Sequence, residues 1–374
     1  MKNKLPEGWR EVELSDVFNF QKKSNIKAGD NQKEGRYKFF TSSDIQSKFI
    51  DRAVFDGEYL IFSTGGSAGV HYCNEKFSTS TDCFVVKVDN KLNSKYIYYY
   101  LFTNIHILEA GFKGAGLKHI SKEYLKKIKI IYPEKKESQQ KIVSILEKAE
   151  QAKELRKTAD ELTKAFLKAV FMEMFGNVVT NNKKWDSLPL GKLCIIGRGA
   201  SPRPIDDFIG DDVPWIKIGD GTKGNELFIE KTKVKITKKG AEKSVFLKSG
   251  SLIFANCGVS LGFARILKID GCIHDGWLSF ENLDKKLNQI YLLKLINQIT
   301  LYLIKLAPEG TQPNLNTGIM KNLSIPLPPI ELQNKFASIV KEVESMKEQQ
   351  KHSKEQIDKL FNALMQKAFK GELV

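Results

Sequence analysis

The chain has 374 residues, 41% of them hydrophobic, and carries 59 Lys and Arg against 44 Asp and Glu, a formal net charge of +15. That length accommodates two domains of ordinary size, and no uninterrupted run of about 18 apolar residues occurs, so a membrane span is excluded and a soluble cytoplasmic protein is expected. Cys73, Cys83, Cys194, Cys257 and Cys272 form no C-x-x-C pair and the histidines are scattered, which excludes a disulfide framework and metal-ligand spacing.

In chain order, WREVEL (9–14) opens a first globular stretch in which YLIFS (59–63) and CFVVKV (83–88) read as short strands bounded by Gly, Asn and Asp. A helix is predicted from Ser94 to Phe102, then a polar glycine-containing loop, GFKGAGLKHIS (111–121), and one more strand, IKIIYP (128–133). Residues 137–175 then read as one long amphipathic helix: Ile142, Ile145, Ala149, Ala152, Leu155, Ala159, Leu162, Phe166 and Ala169 recur at steps of three and four, placing them on one face. At ~1.5 Å per residue such a helix is roughly 58 Å long, more than a small domain needs for its own core, and it suits a spacer. NVVTNNKKW (177–185) reads as a linker.

The same order then repeats. WDSLPL (185–190) is followed by the strands SLIFA, GFARILKI and LSFENL, a helix from Gln289 to Ile304, the loop APEGTQPNLNTG (307–318) and the strand LSIPLP (323–328). A second long helix, 331–369, carries Phe336, Ile339, Val343, Met346, Gln350, Ser353, Ile357, Leu360 and Leu364 in the three-four alternation of a coiled-coil seam, with a polar centre. The sharpest internal match is D-x-K-L-N-x-x-Y, Asp89 to Tyr96 against Asp284 to Tyr291, at an offset of 195. The offset is 194 at Lys141/Lys335 and 198 at Phe171/Phe369, a gain of about one helical turn that keeps the helical face nearly in phase.

Charge follows this division. Residues 134–176 hold nine basic and eight acidic residues and 329–374 hold eight and seven, whereas 1–133 hold 21 against 15 and 177–328 hold 21 against 14. A basic excess confined to the globular stretches fits a polyanion-binding surface, with nucleic acid the commonest such partner.

Catalytic signatures are missing. The loops GGSAG (65–69) and CGVSLG (257–262) lack both the G-K-[ST] ending of a P-loop and the G-x-G-x-x-G of a dinucleotide fold. They are read as tight turns whose backbone N–H groups could approach a phosphate. With no nucleophile elbow, H-E-x-x-H or paired carboxylates, the chain is expected to be no enzyme and to need no cofactor. Candidate DNA-reading residues are the polar and basic loop positions, since Arg, Lys, Asn and Gln suit bidentate base contacts and Ser and Thr suit phosphates. In the first half these are Lys22, Lys23, Thr41, Ser42, Ser43, Ser63, Thr64, Lys118 and His119; in the second, Arg198, Arg203, Lys217, Asp220, Asn256, Gln312, Asn314 and Asn316.

The paired stretches WREVEL and WDSLPL, GEYLIFSTGGSAG and SGSLIFANCGVSLG, with EGTQPNLNTGIMKNLSIPLPPIELQNKFASIV and the terminal LMQKAFKGEL, resemble the specificity (S) subunits of type I restriction-modification systems. The resemblance covers nearly the whole chain; the first half's GAGLKHISKEYLKKIKIIYPEKKESQQKIVSIL lacks the T-Q-P-N and the second proline. It implies a mixed α/β fold with two tandem target recognition domains, 1–133 and 177–328, separated by two long antiparallel coiled-coil helices, 134–176 and 329–374, in a pseudo-two-fold repeat. It also implies a bipartite, asymmetric double-stranded DNA target, two adenine-methyltransferase (M) subunits and restriction/translocase (R) subunits as partners, and no membrane association. Two alternatives keep part of this picture: the S-like subunit of a type IIB methyltransferase-nuclease, and a scaffold that binds nucleic acid without sequence preference.

Overall fold

A computed structural model describes residues 5–258, 260–308 and 314–373. The chain divides into two compact units, residues 1–159 with 350–374, and residues 160–349. Two long helices, Lys136–Phe175 and Ile330–Ala368, therefore each contribute one part to each unit.

In the first unit a four-stranded antiparallel sheet runs in the order Phe18–Phe20, Cys83–Val88, Tyr59–Ser63, Val70–Cys73. Leu60 and Phe62 join the core shared with the helix Ser94–Thr103 and the long helices, while Ile61 joins a second cluster with Phe40, Phe77 and Val85. Burial on both faces explains why YLIFS is a continuous apolar run with no alternation. A small mixed sheet orders Lys48–Ile50, Tyr37–Phe40 and Phe77–Thr79. Trp9–Glu13 pairs antiparallel with Lys129–Pro133, which brings the start of the unit to the foot of the first long helix.

The second unit has two five-stranded sheets. One orders Ile195–Arg198, Trp277–Glu281, Leu252–Ala255, Ala264–Leu267 and Phe228–Ile229; the other orders Ile209–Gly210, Val234–Ile236, Val213–Ile216, Gly271–Ile273 and Val245–Leu247. Leu252 and Phe254 again face the helical core and Ile253 and Ala255 the opposite cluster, so SLIFA is a central strand for the same reason. Ser187–Pro189 pairs with Ser324–Pro326. The helix expected from Gln289 to Ile304 is broken into Gln289–Gln298 and Thr300–Leu306. Two side chains at the break bind backbone elsewhere: Asn297 Oδ1 accepts from Ala264 N at 2.7 Å and Thr300 Oγ1 donates to Gly262 O at 2.6 Å.

The repeated D-x-K-L-N-x-x-Y sequence is a clasp. Asp89 Oδ1 accepts from Lys91 N (2.9 Å), and Asn93 Oδ1 caps the domain helix by accepting from Lys95 N and Tyr96 N (2.9 and 3.0 Å). Gln139, on the first long helix, accepts from Asn93 N at 2.9 Å and donates to Pro133 O at 3.0 Å, and the Tyr96 hydroxyl donates to Ile131 O at 2.9 Å. The same bonds recur in the second unit: Asp284 with Lys286 N, Asn288 with Ile290 N and Tyr291 N, Gln333 with Asn288 N and Pro328 O, and Tyr291 with Pro326 O. Both clasp tyrosines also meet an aromatic ring near the end of the other long helix. Tyr96 lies 5.5 Å from Phe369 and Tyr291 lies 6.1 Å from Phe171. Each unit thus grips the beginning of one long helix and the end of the other.

The long helices depart from the predicted stripe. Ile142, Val143 and Leu146 are buried at one end of the first, and Leu167, Phe171 and Phe175 at the other. Leu155, Leu162 and Phe166, placed on the same face by the heptad reading, are 65%, 65% and 50% exposed. Met346 and Leu360 of the second helix are 47% and 57% exposed. An α-helix turns every 3.6 residues rather than 3.5, so a straight heptad stripe drifts off the buried face with length. Residues 177–185 are a folded turn rather than a plain linker. Asn177 Oδ1 accepts from Val179 N and Thr180 N, Asn181 Oδ1 from Trp185 N, and the Trp185 indole donates to Phe175 O at 3.1 Å.

Replacing Gln139 with Ala would leave the Asn93 N–H and the Pro133 carbonyl without their partner inside the core, at a cost of about 1–3 kcal/mol. Gln140→Ala removes only the exposed bond from Asn93 Nδ2 and should stay within about 0.5 kcal/mol of the parent. Denaturant unfolding of the two variants checks this difference.

Candidate nucleic-acid interface

In the first unit two loops are sewn together by backbone bonds. Thr64 O accepts from Ile120 N and from His119 Nδ1, each at 3.1 Å, and Gly66 N donates to Lys118 O at 3.2 Å. Lys113 and His119 exchange two further backbone bonds of 2.9 and 3.0 Å. A Cβ on Gly65 would sit 3.0 Å from the His119 ring, and Gly66 has φ +77°, so the glycine loop owes its composition to this close approach. Ser63, Thr64, Lys118 and His119 are therefore brought together. Ser63 Oγ is buried without a hydrogen-bond partner among the described residues.

Ser43 belongs to a neighbouring segment, its carbonyl 2.9 Å from His71 Nε2. Burial holds the His71 pKa below its ordinary value despite that bond, so the ring donates as a neutral imidazole. Lys22 is exposed, and the Lys23 ammonium lies 4.8 Å over the Phe84 ring, a ring it shares with Lys122 at 5.4 Å. Thr41 is buried and Ser42 half-buried.

In the second unit the turn 274–276 gathers the candidates. Arg198 Nε donates to Asp275 O at 3.1 Å and Arg203 donates to the Asp275 carboxylate at 3.2 Å, while Ser201 Oγ accepts from Asp275 N at 3.4 Å. Partial burial pushes the Asp275 carboxyl up, but His274, Ser201 and Arg203 outweigh it and hold it below the usual carboxylate range. Asn256, 1% exposed, accepts Leu315 N at its carbonyl, donates its own N–H to Gly276 O and extends Nδ2 to Asn314 Oδ1 at 2.9 Å. Its Oδ1 is buried and has no hydrogen-bond partner among the described residues. Lys217 lies 4.6 Å over the Trp215 ring, which stands 5.4 Å from His274. Arg198, Arg203, Lys217, Asn256 and Asn314 thus surround one turn.

Two candidates are bonded within their own unit. The Asp220 carboxylate accepts from Lys217 N, Thr232 Oγ1 and Lys233 N, at 2.9, 2.9 and 3.4 Å. Asn316 caps the helix Thr317–Asn322 through Ile319 N at 2.9 Å, leaving only its amide NH2 to face a ligand. Gln312 lies outside the described residues. Sequence reasoning passed over His71, Lys113, Lys122, Ser201, His274 and Asp275; the His-Asp-Gly run at 274–276 was the available signal, because Asp-Gly marks a tight turn.

Burial raises Cys83 to about 12 and raises Cys257 and Cys73 as well, so these thiols are poor nucleophiles at neutral pH. Among the described residues no group of three or more His, Cys, Asp or Glu could hold a metal ion, and no helix is long and apolar enough to cross a membrane. The exposed groups are amides, hydroxyls, imidazoles and cations on loops fixed by backbone bonds, the donors that protein surfaces offer to base edges and phosphates.

Residues 6–163 and 182–359 match the family described as type I restriction modification DNA specificity domain. The type I restriction enzyme MjaVIII specificity subunit of Methanocaldococcus jannaschii is 24% identical, with 99% of this chain and 94% of that protein covered. The EcoDI specificity subunit of Escherichia coli is 21% identical, covering 99% and 90%. The solved structure of a type I restriction-modification S subunit from M. genitalium shares the fold at a TM-score of 0.60 and 17% identity, covering 99% of this chain and 97% of that one. With both halves matched over most of their length, the chain belongs to the type I restriction-modification DNA specificity family.

Proposed function

We propose that residues 1–133 and 177–328 are two target recognition domains, each reading one half of a bipartite, asymmetric double-stranded DNA site, and that 134–176 and 329–374 form an antiparallel coiled-coil spacer. The observation that carries this reading is one frame bearing unlike loops. Both units are built on the same Asp-Asn-Gln-Tyr clasp, yet one presents Lys118 and His119, held over the buried Thr64, where the other presents Asn314, held on the buried Asn256, beside Arg198 and Arg203. Two domains of like fold and unlike chemistry, carried on one chain, can read a site that is not a palindrome. Antiparallel helices are supported by contacts inside each unit: Lys153 pairs with Asp358 at 3.1 Å in the first, and Phe171 meets Phe336 at 5.4 Å in the second. Two domains on a rigid spacer suit half-sites roughly one DNA turn, ~34 Å, apart.

The relatives are named as subunits of type I restriction enzymes. By that relationship the chain assembles with two adenine-methyltransferase subunits and with restriction/translocase subunits, and directs their chemistry to the site while doing none itself.

Two experiments on the methyltransferase complex test this. Asn314→Ala should relax only the half-site read by 177–328, and Lys118→Ala with His119→Ala only the other, each lost bidentate base contact costing about 1–3 kcal/mol of discrimination. Selection of methylated sites from a random library checks the assignment, and loss of both half-sites from a complex of normal mass would contradict it. Inserting or deleting one helical turn between 147 and 160 should change the number of unread base pairs and leave both half-site sequences intact. Altered half-site sequences in that variant would rule out a ruler.

A further inference from the structure

We propose that the second unit holds a binding site for a small polyphosphate anion, in a cavity of about 340 Å³ walled by Lys164, Lys168, Arg265, Lys294 and Lys347. This site is separate in composition from the reading loops, none of whose residues line it. Five cations come from both long helices, the strand Ala264–Leu267 and the helix Gln289–Gln298, and Glu226 is the acid on the wall among the described residues. Lys347 is balanced by Glu344 at 2.8 Å. Among the described residues none of the other four forms such an ion pair.

Lys294 has no hydrogen-bond or ion-pair partner among the described residues, and burial, reinforced by Lys347, lowers its pKa against the opposing charges of Glu344 and Glu226. The Arg265 guanidinium lies 4.6 Å over the Phe263 ring and gives one bond of 2.8 Å to Ala264 O, but its Nε is buried without a partner. Arg265 and Lys294 are partly withdrawn from water, and Glu226 and Glu344 oppose that cost only in part, since burial still lowers both pKa values; an anion that enters between them offsets the remainder. Charges approaching from four elements suit a ligand with more than one anionic group, and the planar fork of an arginine suits phosphate oxygens.

The first unit lacks these features. At the register of the repeat, Lys294 corresponds to Tyr99 and Glu344 to Glu150, and the Tyr99 hydroxyl donates to Glu150 at 2.7 Å. Asn297 corresponds to Phe102, and Lys347 to Lys153, which pairs with Asp358 at 3.1 Å. The common frame therefore does not require a cluster of unbalanced cations; the second half introduces it.

Calorimetric titration of the full chain with pyrophosphate at fixed ionic strength tests the proposal. Saturable one-to-one binding is expected, weakened about ten-fold or more by Lys294→Leu or Arg265→Gln, equivalent to at least about one buried charge contact. Glu226→Gln should tighten it about three-fold, a gain that misfolding cannot produce. Arg198→Ala with Arg203→Ala, in the reading loops, should leave it unchanged. Absence of binding, equal weakening by the loop variants, no gain from Glu226→Gln, or displacement of pyrophosphate by duplex DNA would each overturn the assignment.

Discussion

The fold depends on two buried glutamines. Gln139 and Gln333 are fully buried, and each holds the cap of a domain helix with its carbonyl oxygen and the end of the preceding strand with its amide. A buried side chain that satisfies both a donor and an acceptor from another element fixes distance and orientation together, because moving either partner strands a polar group. The strand, the domain helix and the first turn of a long helix are locked as one piece in each unit. Tyr96 and Tyr291 extend that lock, with a hydroxyl on the strand and a ring against the end of the other long helix.

Upon this frame the variable chemistry is hung. The central strands Tyr59–Ser63 and Leu252–Ala255 are apolar and buried on both faces over Leu60–Phe62 and Leu252–Ala255. The loops begin where they end, at the buried Ser63, Thr64 and Asn256. These residues are held by backbone bonds from the 111–121 loop in one unit and from Asn314 and Leu315 in the other. Loops pinned in this way can exchange side chains without disturbing the core.

Much of this was legible in the sequence. The repeat, the strands YLIFS, CFVVKV and SLIFA, and the long helices follow from periodicity and from the recurrence of D-x-K-L-N-x-x-Y. The motif could be seen but not explained, because its partner glutamines lie 46 and 45 residues downstream and bond through tertiary contact. Asp220 and Asn316 are polar and near loops, and both also serve a helix start: Asn316 caps Thr317–Asn322, and Asp220, the third residue of Ile218–Gly221, accepts from Lys217 N. The break at Ile299 was hidden for the opposite reason: the apolar pattern runs through it, and only Asn297 and Thr300 bonding to 262–264 reveal it. The anion cavity gives no local signal at all, since its cations are spread from Lys164 to Lys347.

The central claim, that one chain with two unlike reading domains directs methylation, is tested most directly by mapping modified adenines across the genome of a methylation-free host. The host would express this chain with its neighbouring methyltransferase subunit, beside a control lacking this chain. A split motif of two unlike half-sites around a fixed unread spacer, absent from the control, is the expected result. A map indistinguishable from the control, from a complex shown to assemble, would contradict it.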